Sequence, residues 1–263
     1  RDRRLVQRWA IDLALGAVHD SPWRDELILR GSLLLKTWYG PLARDPNDVD
    51  WVVASPGLEP DDPGGQDLIA GLVERLQQAA AAASHGDLQF APDGIRWEEI
   101  YEYDQAPGMR ITLPWNFAGH PPGETQLDFV FREELWTDPA PVVVPRFDGG
   151  DLTFQAATPE QSLAWKIQWL DGDETAKGQD LYDAVLLAER VRLPFELLER
   201  AFLLSQRGRW RRGRAPRRGL EMLEPLRKTQ VDWNAFKRRY PTVRGESRDW
   251  IDRLIRALTP TVA

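Results

Sequence analysis

The sequence predicts an α+β fold, in which a mixed β-sheet with flanking helices is followed by a helical half. Up to about residue 155, short apolar β-rich runs alternate with turns that contain proline or glycine. From Thr158 onward, apolar residues recur at helical spacing instead. The strand candidates between residues 95 and 131 have connections too short for crossover helices, which favours a mixed sheet over a parallel one. We therefore expect a sheet domain over residues 1–155 and a helical, basic domain over residues 156–263.

The expected elements of the first domain follow from its apolar periodicity and its turn residues. Leu5, Trp9 and Leu13 lie at roughly helical spacing and predict an opening amphipathic helix. Gly31-Ser32 marks a turn from a strand into a helix. The helices are expected at residues 3–19, 32–39 and 66–83, and the strands at residues 27–29, 49–53, 95–103, 109–117 and 125–131.

The second domain is expected to be helical throughout. Thr158-Pro159-Glu160-Gln161 has the sequence of a capping box with proline at the first helical position, which predicts a helix start. Further helices are expected at residues 174–190, 194–204, 219–226, 231–239 and 246–258.

The amino-acid composition excludes several kinds of site. The 263-residue chain has no cysteine, which excludes a disulfide scaffold, thiolate zinc and thiol catalysis. Its three histidines show no ligand spacing, so any metal is expected on carboxylates. No apolar run approaches the length of a membrane span. A cytoplasmic protein without a membrane partner is the expectation.

The net charge of −7 is unevenly distributed. Residues 207–263 carry 16 basic against 6 acidic residues, whereas residues 1–206 carry 18 against 35. Such a split is typical of a protein that handles a polyanion with one face and cations with another. A solvated, arginine-rich helical surface also accounts for it.

Three aspartates are candidate metal ligands. Asp48 and Asp50 lie two residues apart at the start of an expected strand, so their side chains point to the same face. Asp128 interrupts the apolar strand candidate 126–131. Together they could hold two Mg²⁺ ions beside a nucleoside triphosphate. Taken singly, Asp-x-Asp is more often a turn or a solvated strand end.

The Gly31-Ser32 turn is a candidate phosphate site. A turn from a strand into a helix leaves backbone N–H groups free at the helix N-terminus, and these can bind phosphate together with the Ser32 hydroxyl. Alone, the dipeptide also fits an ordinary turn.

The combination of these segments resembles a known family. Residues 29–36 and 44–51 resemble the first motif of the nucleotidyltransferase superfamily in its AbiEii/AbiGii toxin branch. Residues 158–166 and 177–183 resemble the branch's helical motifs, the second a basic stretch followed by Asp-x-x-Asp. Two features depart from the pattern. Fifteen residues separate Ser32 from Asp48, which indicates an extended loop, and Gln179 stands where the branch commonly has a basic residue.

The resemblance implies a role for each candidate. Asp48 and Asp50 would bind the metals, with Asp128 beside the acceptor hydroxyl. Gly31 and Ser32 would hold the β- and γ-phosphates. Lys166 would face the triphosphate, unless it is an exposed helix lysine. The remaining candidates are Asp180 and Asp183, which would order Lys166 or an arginine, and Arg44, which would bind phosphate or cap its loop.

A basic cluster with an aromatic residue is the candidate RNA-binding segment. It lies within residues 207–218 and comprises Arg209, Trp210, Arg211, Arg212 and Arg214. Arginine for phosphate and an aromatic ring for a base is how single-stranded ends are held. A solvated basic loop fits equally well.

Three functions remain open from the sequence. The first is a metal-dependent nucleotidyltransferase toxin that transfers a nucleotide from an NTP to RNA, with the tRNA 3′ end favoured by the resemblance and a cognate antitoxin as a possible partner. The second transfers to a small molecule such as an aminoglycoside, or to a protein hydroxyl. The third is a non-catalytic binding homologue, against which the three retained acidic positions argue.

Overall fold

A computed structural model describes residues 2–55, 57–83, 86–103, 106–205 and 219–263. It divides into two compact units, Arg1–Ala157 and Thr158–Ala263. The first contains a large sheet with helices and the second is mostly helical, so the α+β class is confirmed. None of the helices among the described residues is long and apolar enough to cross a membrane.

The first unit is built on an eight-stranded mixed sheet with strand order β3-β5-β6-β2-β1-β8-β7, in which β4 also pairs with β5. The pairs β1–β8 and β2–β6 are parallel and the other pairs are antiparallel, which confirms the mixed sheet. Its strands are β1 (Leu27–Arg30), β2 (Asp48–Val53), β3 (Leu88–Phe90), β4 (Arg96–Tyr103), β5 (Ala106–Phe117), β6 (Gly123–Phe131), β7 (Ala140–Pro145) and β8 (Asp151–Ala156).

In the part of this unit that the structure describes, the sheet is accompanied by the α-helices α1 (Asp2–His19), α2 (Ser32–Tyr39) and α3 (Pro63–Ala82). Helix α1 packs on one face, where Gln7 donates a hydrogen bond to the Thr125 hydroxyl of β6 at 3.0 Å. Strand residues alternate between faces, so Leu127 and Phe129 share this covered face with Thr125 and are fully buried. Asp128 therefore projects from the opposite face.

The second unit contains the helices α4 (Pro159–Gly172), α5 (Gly178–Ala188), α6 (Phe195–Leu204), α7 (Glu224–Arg227), α8 (Trp233–Arg239) and α9 (Ser247–Val262). The Thr158 hydroxyl accepts a hydrogen bond from the Gln161 amide at the start of α4, as the capping sequence predicts. Leu163, Ile167 and Leu170 of α4 are buried in its core.

Several elements differ from the sequence-based expectation. The hairpin β7–β8 and the short strand β3 were not predicted. In the second unit, the short parallel strands β9 (Ala176–Lys177) and β10 (Val231–Asp232) replace the first residues of two expected helices. In β7 only Val144 is fully buried, and the strand begins and ends near proline. Such an edge strand carries little of the apolar alternation that identifies strands.

Candidate active site

Strand β2 places Asp48 and Asp50 on one face, as their spacing predicts. Both are half-buried, and between them Val49 is fully buried on the covered face. Strand β2 pairs in parallel with β6, where Asp50 stands opposite Asp128. The sheet thus brings the strands that carry all three candidate carboxylates side by side.

The Gly31 turn lies directly against the Asp50 carboxylate. Gly31 has a φ of 81°, and a Cβ atom built on it would lie only 2.0 Å from Asp50 Oδ2. Only glycine combines this backbone conformation with so close an approach. The phosphate-site candidate and the metal-ligand candidate of the sequence therefore meet at this turn.

Ser32 is the first residue of α2 and is almost fully buried. Its hydroxyl donates a hydrogen bond to Asp48 Oδ1 at 3.4 Å. The first backbone amides of α2 have no partner inside their own helix, and the helix dipole favours an anion there. The turn can therefore offer phosphate N–H donors next to two carboxylates.

Asp128 is held by an arginine on the neighbouring strand. Arg110 of β5 donates from Nε to Asp128 Oδ1 at 2.7 Å and from Nη2 to Oδ2 at 2.6 Å. The two residues stand opposite each other in the β5–β6 register, and Asp128 is only 4% exposed. The pair has the bidentate geometry in which arginine binds carboxylates most strongly.

A row of five charged residues crosses the sheet at this level. The register aligns Arg30 of β1 with Asp50, Asp50 with Asp128, Asp128 with Arg110, and Arg110 with Glu98 of β4. Directly paired strand residues share a face, so the charges in the row follow the order cation, anion, anion, cation, anion. At its β1 end, Arg30 also forms an ion pair with Glu133.

Burial raises the pKa of Glu133, against the opposing effect of the Arg30 guanidinium. Sequence reasoning missed Arg30, Arg110 and Glu133. A signal was present for Arg110, because it interrupts an apolar strand just as Asp128 does.

The donor set suits a hard divalent cation, because Asp48 and Asp50 offer carboxylate oxygens on one face. Both oxygens of the third candidate, Asp128, face Arg110. Across the described ranges, no group of three acidic or histidine side chains is arranged to hold a metal ion. The assignment of Mg²⁺ to these three aspartates stays a prediction.

Arg44 lies in the loop between α2 and β2 and is only 9% exposed. The side chain is therefore not a solvated loop cation. Both roles expected for Arg44, binding phosphate and capping the loop, stay predictions.

In the second unit, Lys166 forms a buried ionic cluster with the two aspartates of α5. Its Nζ donates to Asp180 Oδ1 at 2.7 Å and lies 3.5 Å from Asp183 Oδ2. Lys166 is 6% exposed, so its interpretation as an exposed helix lysine is wrong. These contacts place Asp180 and Asp183 where they can order Lys166, and the role of the three residues in the site stays a prediction. Lys166 Nζ also lies 4.8 Å from the centre of the Trp169 ring.

The predicted RNA-binding residues Arg209, Trp210, Arg211, Arg212 and Arg214 lie outside the described residues.

Comparison with known proteins adds one finding to this geometry. The model of the family described as "Nucleotidyl transferase AbiEii toxin, Type IV TA system" matches residues 13–253. No curated protein matches the chain. The family match spans both structural units and every candidate residue named above.

Proposed function

Because the chain belongs to the AbiEii family of nucleotidyltransferase toxins of type IV toxin–antitoxin systems, we propose that it transfers a nucleotide from an NTP to RNA with Mg²⁺ as cofactor. The favoured acceptor is the 3′ end of tRNA. This acceptor rests on the family resemblance and on the basic charge of residues 207–263.

The observation that carries the proposal is the contact of the Gly31-Ser32 turn with Asp48 and Asp50. A triphosphate needs N–H donors for its oxygens and cations for its charge, and this turn stands beside two carboxylates that suit a cation. Nucleotidyl transfer depends mainly on positioning and charge neutralisation. The site therefore needs neither cysteine nor histidine.

Each residue of the first unit has a role in the proposal. Ser32 and the first amides of α2 bind the β- and γ-phosphates. Asp48 and Asp50 hold Mg²⁺, and Asp128 completes the set beside the acceptor hydroxyl. When bound, the metal ions would neutralise phosphate charge and activate the attacking hydroxyl. The protein contributes by fixing these side chains on a rigid sheet before substrate binds.

Lys166 is assigned to the triphosphate by the resemblance alone. Within its own unit, Asp180 and Asp183 hold its ammonium group in one position. A compact charge of this kind suits a phosphate oxygen. A cognate antitoxin and a cytoplasmic location belong to the same proposal, as expected for a toxin–antitoxin system.

The decisive assay incubates the purified protein with Mg²⁺, each labelled NTP and total tRNA. We expect label in tRNA that EDTA prevents and that Asp50→Asn abolishes without loss of folded structure by circular dichroism. A parallel incubation with an aminoglycoside panel or total protein tests the alternative acceptors. Labelling of a drug or a protein in place of tRNA would overturn the RNA assignment, and full activity in Asp50→Asn would overturn the site.

A further inference from the structure

The pair Arg110–Asp128 is an interaction of the site that the proposed function does not use. Its two hydrogen bonds, at 2.7 and 2.6 Å, engage both carboxylate oxygens. The Asp128 side chain is 6% exposed and that of Arg110 17% exposed, so water competes little for either group. A pair with these features is a substantial interaction and not a screened surface contact.

The row of charges explains why Asp128 needs such a partner. Asp50 and Asp128 stand opposite each other on parallel strands, which are separated by roughly 4.8 Å. Two carboxylates at that spacing repel each other, more strongly on a partly buried face than in water. The cations Arg30 and Arg110 flank the two carboxylates in the register and offset this repulsion.

We propose that Arg110 and a divalent cation compete for Asp128, so that Arg110 weakens cation binding at this site and sets the cation concentration that the site requires. The inference rests on the proposed function, because it takes the carboxylates of β2 and β6 as the cation site. Arg110 is a positioning residue in this scheme, acting through Asp128.

The competition follows from the two hydrogen bonds that Arg110 makes to Asp128. A cation that binds an oxygen of Asp128 withdraws electron density from it, so the hydrogen bond that this oxygen accepts from the guanidinium is weakened and the free energy of the bound state is raised. The cation also brings positive charge next to Arg110. Both effects lower the affinity of the site for the cation, and both disappear when Arg110 is replaced by a neutral side chain.

The experiment compares Mn²⁺ binding, followed by electron paramagnetic resonance at about pH 8, in the wild type, Arg110→Gln and Arg110→Lys. For Arg110→Gln we expect a Kd lower by about fivefold or more, with Arg110→Lys in between because it keeps the charge but not the bidentate geometry. The rise of Tm on adding Mg²⁺ should also be larger in Arg110→Gln, because the metal replaces the missing counter-charge.

Arg96→Gln is the matched control. Arg96 of β4 also pairs with a carboxylate of β6, donating to Glu124 at 3.1 Å, but both side chains are about half exposed. Its Kd for Mn²⁺ should equal that of the wild type. An increase of affinity in Arg96→Gln equal to that in Arg110→Gln would reveal a general effect of net charge and would overturn the specific competition.

Asp50→Asn separates the two proposals. If Asp50→Asn binds Mn²⁺ as the wild type does, the cation site and with it the proposed function fail. If Asp50→Asn loses binding while folded Arg110→Gln binds Mn²⁺ with unchanged or weaker affinity, only the competition fails. If Arg110→Gln does not fold, the Kd of Arg110→Lys for Mn²⁺ is compared with that of the wild type instead. An unchanged or higher Kd in Arg110→Lys would then overturn the competition.

Discussion

Replacing Gly31 by alanine tests the geometry that joins the phosphate turn to the carboxylates. The new methyl group would lie 2.0 Å from Asp50 Oδ2 and 2.8 Å from Asp50 Cγ, well inside van der Waals contact. The turn or the Asp50 side chain must therefore move. Residue 31 would also keep a φ of 81° with a ψ of −159°, a region that is essentially restricted to glycine and that costs an alanine on the order of 1–3 kcal/mol.

The two costs can be separated with a matched glycine. Gly149, in the β7–β8 turn, has a φ of 96°, and a Cβ atom there would meet nothing within 4 Å. Gly149→Ala has only the cost of holding an alanine at a positive φ, whereas Gly31→Ala has a backbone cost and also displaces Asp50. We expect both variants to lose stability in urea unfolding, with the larger loss in Gly31→Ala.

Activity should separate the two variants further. A displacement of about 1 Å in a catalytic group can cost on the order of 10²-fold in rate. We therefore expect nucleotide transfer by Gly31→Ala to fall by about that factor, while Gly149→Ala stays near the wild type. Wild-type transfer by Gly31→Ala, with stability equal to that of Gly149→Ala, would refute the close approach of turn and carboxylate.

Three further predictions concern the second unit, the first helix and the basic segment. In Lys166→Met, two buried carboxylates lose their counter-charge, so the free energy of unfolding measured in urea should fall by about 3–5 kcal/mol. Adding Asp180→Asn should restore part of this loss. No recovery in the double variant would contradict the explanation by an unpaired buried charge. Burial raises the pKa of Asp12, so the contribution of this carboxyl to stability is present below its ordinary pKa and is lost as the pH rises above that value. The free energy of unfolding of Asp12→Asn should therefore rise relative to that of the wild type as the pH rises above the ordinary pKa of a carboxyl, and a difference that does not change with pH would contradict this. A quadruple glutamine variant of the basic cluster should weaken RNA binding and flatten its salt dependence without changing NTP binding, and an unchanged salt slope would mark the cluster as a solvated surface. The quadruple variant replaces Arg209, Arg211, Arg212 and Arg214.

The local features of the site could be predicted from the sequence. A glycine followed by serine between a strand and a helix predicts the turn, and a two-residue spacing predicts one face for Asp48 and Asp50. The structure confirms both, and it confirms the helix that begins at Ser32. These features depend only on neighbouring residues, and for that reason a single sequence contains them.

The partners of Asp128 and Asp50 could not be predicted, because they depend on strand pairing. Arg110 and Asp128 are 18 residues apart, and Arg30 and Glu133 are 103 residues apart. A single sequence gives no register between such segments. The β7–β8 hairpin was missed for a related reason, because β7 has little apolar alternation of its own and β8 joins the sheet by pairing with β1, a strand distant in the sequence.

The register that forms the row of charges is determined on the other face of the sheet. Trp51 and Phe129 are register partners, point to the face covered by α1 and are fully buried. A slip of one residue between β2 and β6 would turn Phe129 outward and carry Asp128 into the apolar core. The cost of burying an unpaired carboxylate adds to the loss of the aromatic contacts, so both faces favour the same pairing. The packing of aromatic residues beneath the sheet therefore holds Asp50 beside Asp128, and with it the competition between Arg110 and a cation.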